Sequence, residues 1–229
     1  MRRPKRLSIV LFHIAVCVFS ASLIYAAKLP EWFPFKKKDD LQKWEEKIFK
    51  GRVLYSIKVG KADGYLSAYS EGTASGILYR LTFDPIEKPF VSWKWRVIRF
   101  PEKARMSTDE TNGWVEQDDY AARFYVIFPK LAFLHTKVLE YVWDKDIPEG
   151  TIMSSPYLEN IKIIVIESGW DNVGKWVSEE RNVYEDFEKA FGRKPSKVGA
   201  IAIMTDTDNT SSTAEANYDD IRAGYEYGE

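Results

Sequence analysis

From residue 53 onward the chain alternates short runs of β-forming residues with turns, and that rhythm admits few folds. Val53-Leu-Tyr-Ser-Ile-Lys-Val59, Tyr65–Tyr69, Gly76–Thr82, Val91–Val97, Tyr120–Phe128, Val138–Trp143 and Ile161–Glu167 read as successive strands. Segments rich in Gly, Asp, Pro and Ser separate them. Ile161–Glu167 is nearly all β-branched and is expected at the centre of a sheet. A strand after Gly199 runs through Ala200-Ile-Ala-Ile-Met-Thr-Asp206, and another carries Tyr218. These two read as a hairpin-like closing unit with an oxygen-rich loop at its tip. Many short strands with few helices point to an all-β sandwich or barrel rather than βαβ units. The expected architecture is a two-sheet antiparallel β-sandwich of the jelly-roll type with two or three short helices.

One helix is predicted where Asp39 or Asp40 caps a segment placing Leu41, Trp44 and Ile48 on one face, with Gly51 as terminator. A second starts at Asn182, buries Val183, Phe187 and Phe191, and ends at Gly192. Residues 27–50 then form a lead-in segment, and 51–229 form a single sandwich domain.

Residues 1–26 read as a signal peptide. Arg2, Arg3, Lys5 and Arg6 form a basic start, Leu7–Tyr25 carries no charge, and Ile24-Tyr25-Ala26 offers a cleavage site. The apolar stretch approaches spanning length, so an uncleaved N-terminal anchor is the alternative, and the only membrane contact foreseen. Either way the remainder is expected outside the cytoplasm, periplasmic or extracellular.

The leader takes four of the 33 basic residues and none of the 34 acidic ones, leaving 29 against 34, a net −5. That balance argues against nucleic acid as a partner. The single cysteine, Cys17, leaves with the leader, so neither a disulfide nor a cysteine nucleophile is expected in the exported part. Of two histidines His13 lies in the leader, and the remaining His135 cannot build a multi-histidine zinc site. There is no Gly-x-Ser-x-Gly elbow and no glycine-rich phosphate loop.

Carboxylates, arginines and aromatics remain. Asp119 stands on the side of Arg123 and Tyr125, because alternate residues of Tyr120–Phe128 share a face. A guanidinium there either holds a ligand through its fork of donors or forms an internal ion pair tethering the strand to the preceding loop. Asp206, Asp208 and Asn209 offer closely spaced oxygens for a structural calcium; the alternative is a turn in which they cap their own amides. Trp93 and Trp95 are expected in the core, whereas Trp170 and Trp176 lie in a glycine-containing turn segment and are expected at the surface.

Trp93-Lys-Trp-Arg96, Asp118-Asp-Tyr-Ala-Ala-Arg-Phe-Tyr-Val126, Tyr141-Val-Trp143, Glu180-Arg-Asn-Val183, Phe191-Gly192 and Met204-Thr-Asp-Thr-Asp-Asn-Thr210 resemble a bacterial exported family known as domain of unknown function 3047. That resemblance implies no activity. Tyr218-Asp-Asp-Ile221 is similar to the last strand of galactose-binding-like jelly rolls, the architecture of many carbohydrate-binding modules. The second likeness implies a structural calcium near that strand and glycan binding on a sheet face or at loop tips. The leading expectation is a non-catalytic domain binding a glycan or other polar envelope ligand. Arg123 would anchor the ligand, Trp170 or Trp176 would stack on it, and Asp206 with Asp208 would order the loop. The alternatives are a hydrolase pairing Asp119 with Asp206 or Glu167, and a structural or assembly protein of the envelope.

Overall fold

In the computed structural model, which describes residues 29–60, 64–103, 118–130 and 135–228, alternation along the strands sorts side chains into layers. The elements are β1 (Glu31–Phe33), a 3-10 turn (Lys38–Leu41), β2 (Glu45–Lys50), β3 (Leu54–Val59), β4 (Gly64–Glu71), β5 (Ala74–Phe83) and β6 (Phe90–Arg99). There follow β7 (Ala122–Phe128), β8 (Lys137–Asp144), β9 (Ile152–Ser154), β10 (Ile161–Ser168), β11 (Val177–Asn182), α1 (Val183–Phe191), β12 (Val198–Asp206) and β13 (Thr213–Tyr225). The six-stranded sheet has the order β11-β6-β13-β4-β3, with β1 also paired to β13; the seven-stranded sheet runs β2-β5-β12-β7-β8-β10-β9. The fold is thus the two-sheet sandwich that the strand pattern predicts. Among the described residues no helix is long and apolar enough to cross a membrane. The leader, residues 1–26 with Cys17 and His13, lies outside the described residues.

Trp93, Trp95 and Val97 of β6 point inward and are buried, whereas Ser92, Lys94 and Arg96 between them stay partly open. Trp93 stacks on Phe124 of the opposite sheet at 4.1 Å, and Trp95 meets Trp93 edge-on at 5.5 Å. The middle of the seven-stranded sheet is buried on both faces. Phe124, Val126 and Phe128 enter the main core, while Tyr125 and Ile127 join Leu78, Val138, Ile161, Ala200 and Met204 on the other side. That two-sided burial explains why β7 and β10 read as continuous apolar runs.

Several expectations are corrected. The helix expected after Asp39 is a 3-10 turn followed by β2, whose backbone pairs with β5. Trp44 is drawn into the core beside Phe33 (5.1 Å) and Tyr79 (5.6 Å), while Ile48, its supposed helical neighbour, is 48 % exposed. Tertiary pairing overrides the local periodicity here. The lead-in is therefore part of the sandwich, since β1 and β2 lie in opposite sheets. Among the described residues there is one α-helix: Asn182 Oδ1 accepts from the Tyr184 and Glu185 amides, and Gly192 (φ 67°) ends it as expected. Strand β10 is not central; only the three-residue β9 lies beyond it. It runs parallel to β8, because residues 145–160 form a crossover. Finally, β12 and β13 belong to different sheets, so residues 207–212 cross the sandwich instead of closing a hairpin.

Candidate functional site

Two regions gather the polar chemistry. The first lies where β7 and β12 run side by side with Met204 opposite Arg123. Arg123 is 1 % exposed. Its Nη2 donates to Asp206 Oδ2 at 2.6 Å and to the Asp118 carbonyl. Its Nη1 donates to Glu140 Oε1 at 2.8 Å and to the Tyr125 hydroxyl at 3.3 Å. Arg123 and Lys103 both sit against the Tyr120 ring, at 4.6 and 3.6 Å from its centroid. Lys103 Nζ is 2.5 Å from Asp144 Oδ2. Arg123 is therefore the internal ion pair, not a ligand anchor, and Tyr125 is buried with it. Its partners come from β7, β8, β12 and the residues just before β7, so the guanidinium ties these segments together.

Asp119 does not pair with Arg123. It accepts from the Asn209 amide at 3.3 Å and the Thr210 amide at 2.7 Å, clamping the crossing loop to the start of β7. One carboxylate oxygen each from Asp119, Asp206 and Asp208 lie within 4.8 Å of one another. Asn209 turns elsewhere, its Oδ1 accepting from the Tyr157 hydroxyl at 3.2 Å. The sequence-derived trio Asp206, Asp208, Asn209 thus becomes Asp119, Asp206, Asp208.

The electrostatics of this region are lopsided. Asp118, Asp119, Glu140, Asp144, Asp206 and Asp208 face Arg123, Lys103 and, at the rim, Lys50, whose Nζ donates to the Asp208 carbonyl. Burial pushes Asp118 up to about 7 against the pull of Arg123. Burial likewise raises Glu140 and holds Asp206 well above the usual carboxylate range. Asp208 is raised by burial and by the charge of Asp119. Asp144 differs: burial would raise it, but Lys103 and the Asp146 and Ile147 amides outweigh that and hold it low. Such a cluster must hold protons or a cation to offset its excess negative charge. Asp208 Oδ1 is buried without a hydrogen-bond partner, and an all-oxygen donor set suits a hard cation.

The second region is the outer face of the six-stranded sheet. A groove of ≈ 560 Å³ crosses it, lined by Trp32, Ser92, Lys94, Ser178, Asp220 and Arg222 among others. Trp32, on β1, is 53 % exposed and forms a wall. Asp220 ties that wall to the floor, accepting from Trp32 Nε1 at 2.8 Å and Lys94 Nζ at 2.7 Å. It sits at φ 51° where the β13–β6 register shifts between Asp219 and Arg222. A non-glycine residue rarely occupies that backbone region, and the bulge re-aims its side chain across the groove. Burial would raise the Asp220 carboxyl, but hydrogen bonds from Lys94 and Trp32 hold it below its ordinary value.

Trp176 (38 % exposed) and Trp170 (61 % exposed) are at the surface, as their turn segment predicts. Trp176 lies over the same face as the groove, with the Arg96 guanidinium 4.7 Å from its ring. Trp170 rests edge-on against Phe100 at 5.0 Å and does not line the groove. The expected ligand set therefore splits: Asp119, Arg123 and Tyr125 belong to one sheet, Trp176 to the outer face of the other. Sequence reading missed Glu140, although a lone acid alternating with Val138 and Val142 signals a buried partner for a cation. It also missed Trp32, Lys94, Asp220 and Arg222, which converge only through the β1–β13–β6 pairing.

The architecture and these two regions define a two-sheet β-sandwich with a buried acid–arginine cluster and a tryptophan-walled polar groove. The chain belongs to the family described as protein of unknown function (DUF3047), whose model matches residues 42–222. No curated protein matches it. Similar solved structures include TmCBM61 in complex with β-1,4-galactotriose (TM-score 0.41, 8 % identity, 85 % of this chain and 95 % of that one). The CBM22-1 xylan-binding domain of Xyn10C from Paenibacillus barcinonensis gives 0.40 at 10 % identity, covering 85 % and 92 %. A cellulase derived from Cel12A of Rhodothermus marinus gives 0.43 at 11 % identity, covering 78 % and 94 %. At these scores the likeness extends to sandwich architecture alone.

Proposed function

We propose that this protein is an exported, non-catalytic sandwich that binds a glycan along the outer face of its six-stranded sheet. The observation that carries the reading is the groove of ≈ 560 Å³, whose exposed Trp32 wall stands over a floor of Ser92, Lys94, Ser178, Asp220 and Arg222. An aromatic ring facing a strip of hydroxyls and charges matches a sugar, which has an apolar ring face and a polar edge. Trp176, just before β11, adds a second surface ring on the same face. Calorimetry of residues 27–229 against neutral and acidic polysaccharides tests this. Binding is expected to weaken at least tenfold in Trp32→Ala and to survive in Trp170→Ala; no binding to any member of the panel overturns it.

We further propose that Asp119, Asp206 and Asp208 hold a calcium ion that orders the crossing loop, in keeping with the unpartnered Asp208 oxygen and the surplus of carboxylates. Its role is structural, because the cluster lies on the other sheet from the groove.

A further inference from the structure

Arg96 occupies an unusual position beside the groove. It projects from the outer face of β6, two residues along from Lys94, so its Cα lies roughly 7 Å further down the same strip. Its guanidinium carbon is 4.7 Å from the centroid of Trp176 and 5.3 Å from that of Tyr65. The two rings meet edge-on at 5.7 Å, and the amide of Asn217, paired with Arg96 across β13 and β6, is buried. With its oxygen turned toward β6, that amide accepts from Arg96 Nη2 at 3.0 Å and from Nε at 3.2 Å. The guanidinium is therefore fixed by a neutral acceptor and two rings. Among the described residues no carboxylate lies within 4.0 Å of it, in contrast to Arg123, which has three, and Lys94, which has Asp220.

A guanidinium carries five N–H donors in a rigid plane. Asn217, a neutral acceptor, engages the Nε and Nη2 side, which leaves the cation's charge unneutralised and its Nη1/Nη2 end without a carboxylate among the described residues. An arginine whose only role is to brace Trp176 over the sheet has no need of that surplus. The same strip already provides a tryptophan face for a pyranose ring. We infer that Arg96 is the anchor for a carboxylate of the ligand, so that the glycan is a uronic-acid-containing polymer; this rests on the groove being the glycan site. A planar carboxylate matches the planar fork, and its sugar ring would lie against Trp176. Asn217 is a positioning residue: it aims the guanidinium and does not touch the ligand.

The probes are an oligogalacturonate and the same oligosaccharide with its carboxyls reduced to alcohols. A charge-assisted hydrogen bond contributes roughly ten- to a hundredfold in affinity, so the wild type should bind the acidic form at least tenfold tighter. That preference should shrink as salt rises from 50 to 500 mM, because the pair is solvent-accessible. Arg96→Gln should bring the acidic form down to the affinity of the reduced form, so that the ratio between the two falls to about one. Arg96→Lys, which keeps charge without the fork, should retain part of the preference and guards against misfolding of the first variant. Equal affinity of the wild type for both probes overturns the inference while leaving the glycan reading intact. An equal loss for both in Arg96→Gln, with Arg96→Lys restoring both alike, also overturns it, since Arg96 would then merely support Trp176. Binding of neither probe, nor of any polysaccharide in the wider panel, removes the glycan reading and this inference with it.

Discussion

Arg123 Nη2 and Asp206 Oδ2 meet at 2.6 Å between neighbouring strands, both side chains almost wholly buried. Removing this cation leaves Asp206, Glu140 and Asp118 facing one another with only Lys103, itself paired to Asp144, nearby, and breaking a buried pair this way costs about 3–5 kcal/mol. Arg123→Met is expected to lower the unfolding free energy by that amount in urea titrations. Arg123→Lys should lose less, because a charge remains but the fork bridging β7, β8 and β12 does not. Neither variant should alter glycan affinity of the folded fraction, since the cluster and the groove lie on different sheets.

Calcium has a thermodynamic signature. An ion bound only by the native state adds RT ln(1 + [L]/Kd), about 2.7 kcal/mol at a hundredfold excess over Kd. Millimolar calcium should therefore raise Tm by several degrees and chelator should lower it, read by scanning calorimetry. Asp208→Asn is the informative variant, because Asp206 also holds Arg123 and its loss would destabilise the chain regardless of metal. The calcium-dependent shift should vanish in Asp208→Asn while Tm in chelator stays near wild type. A melting curve indifferent to both calcium and chelator would dismiss the ion.

Glu179 makes stability depend on pH. Its carboxyl, an acceptor for Trp95 Nε1 at 3.1 Å, is pushed up to about 7 by burial and then by Glu167. Unfolded, it returns to about 4.5. Between those values the native chain keeps a proton that the unfolded chain has released, so stability falls as pH rises through this window and levels off above it. Asp118, raised from 3.8 to about 7, acts in the same direction. Denaturation midpoints should drop from pH 5 to pH 8 in the wild type. The drop should be smaller in Glu179→Gln, whose amide oxygen still accepts from Trp95, and Asp118 together with the other raised carboxyls, Glu140, Asp206 and Asp208, should account for the part that remains. An equal drop in both proteins would contradict this assignment.

Strands β3 to β8, β10, β12 and β13 were legible from alternating side chains or, in β7 and β10, from continuous apolar runs buried on both faces, and α1 because Asn182 and Gly192 mark its ends. Strands β1, β2, β9 and β11 were not. They are short edge elements whose identity comes from backbone pairing with β13, β5, β10 and β6, which leaves little trace in side-chain pattern. The acidic loop was legible as a cluster, but its third member was misread: Asp119, far away in sequence, replaces Asn209 because β7 and β12 are neighbours. Arg123 was readable only as a choice between ligand anchor and internal pair, and its partner Glu140 in β8 decides for the pair. The groove was invisible, since Trp32 and Asp220 are 188 residues apart and meet through an edge strand and a bulge.

Gly64 tests the corrected place of the lead-in. A Cβ at this position would stand 2.5 Å from the Phe35 carbonyl oxygen and 2.9 Å from Lys36 Cα, both backbone atoms that cannot swing aside. Residues 33–36 are thus packed directly on the first residue of β4, with Phe35 fully buried and Trp44 beside it at 5.8 Å. Gly64→Ala must push that segment outward, at about 1–3 kcal/mol for overpacking of this kind. Because the same segment continues from β1 and its Trp32, the displacement should also weaken glycan binding, which Arg123→Lys should not. Urea titration and calorimetry on the same preparation check both effects. Unchanged stability would mean that residues 33–36 detach without cost, as an independent lead-in would, and that the sandwich begins at β3 after all.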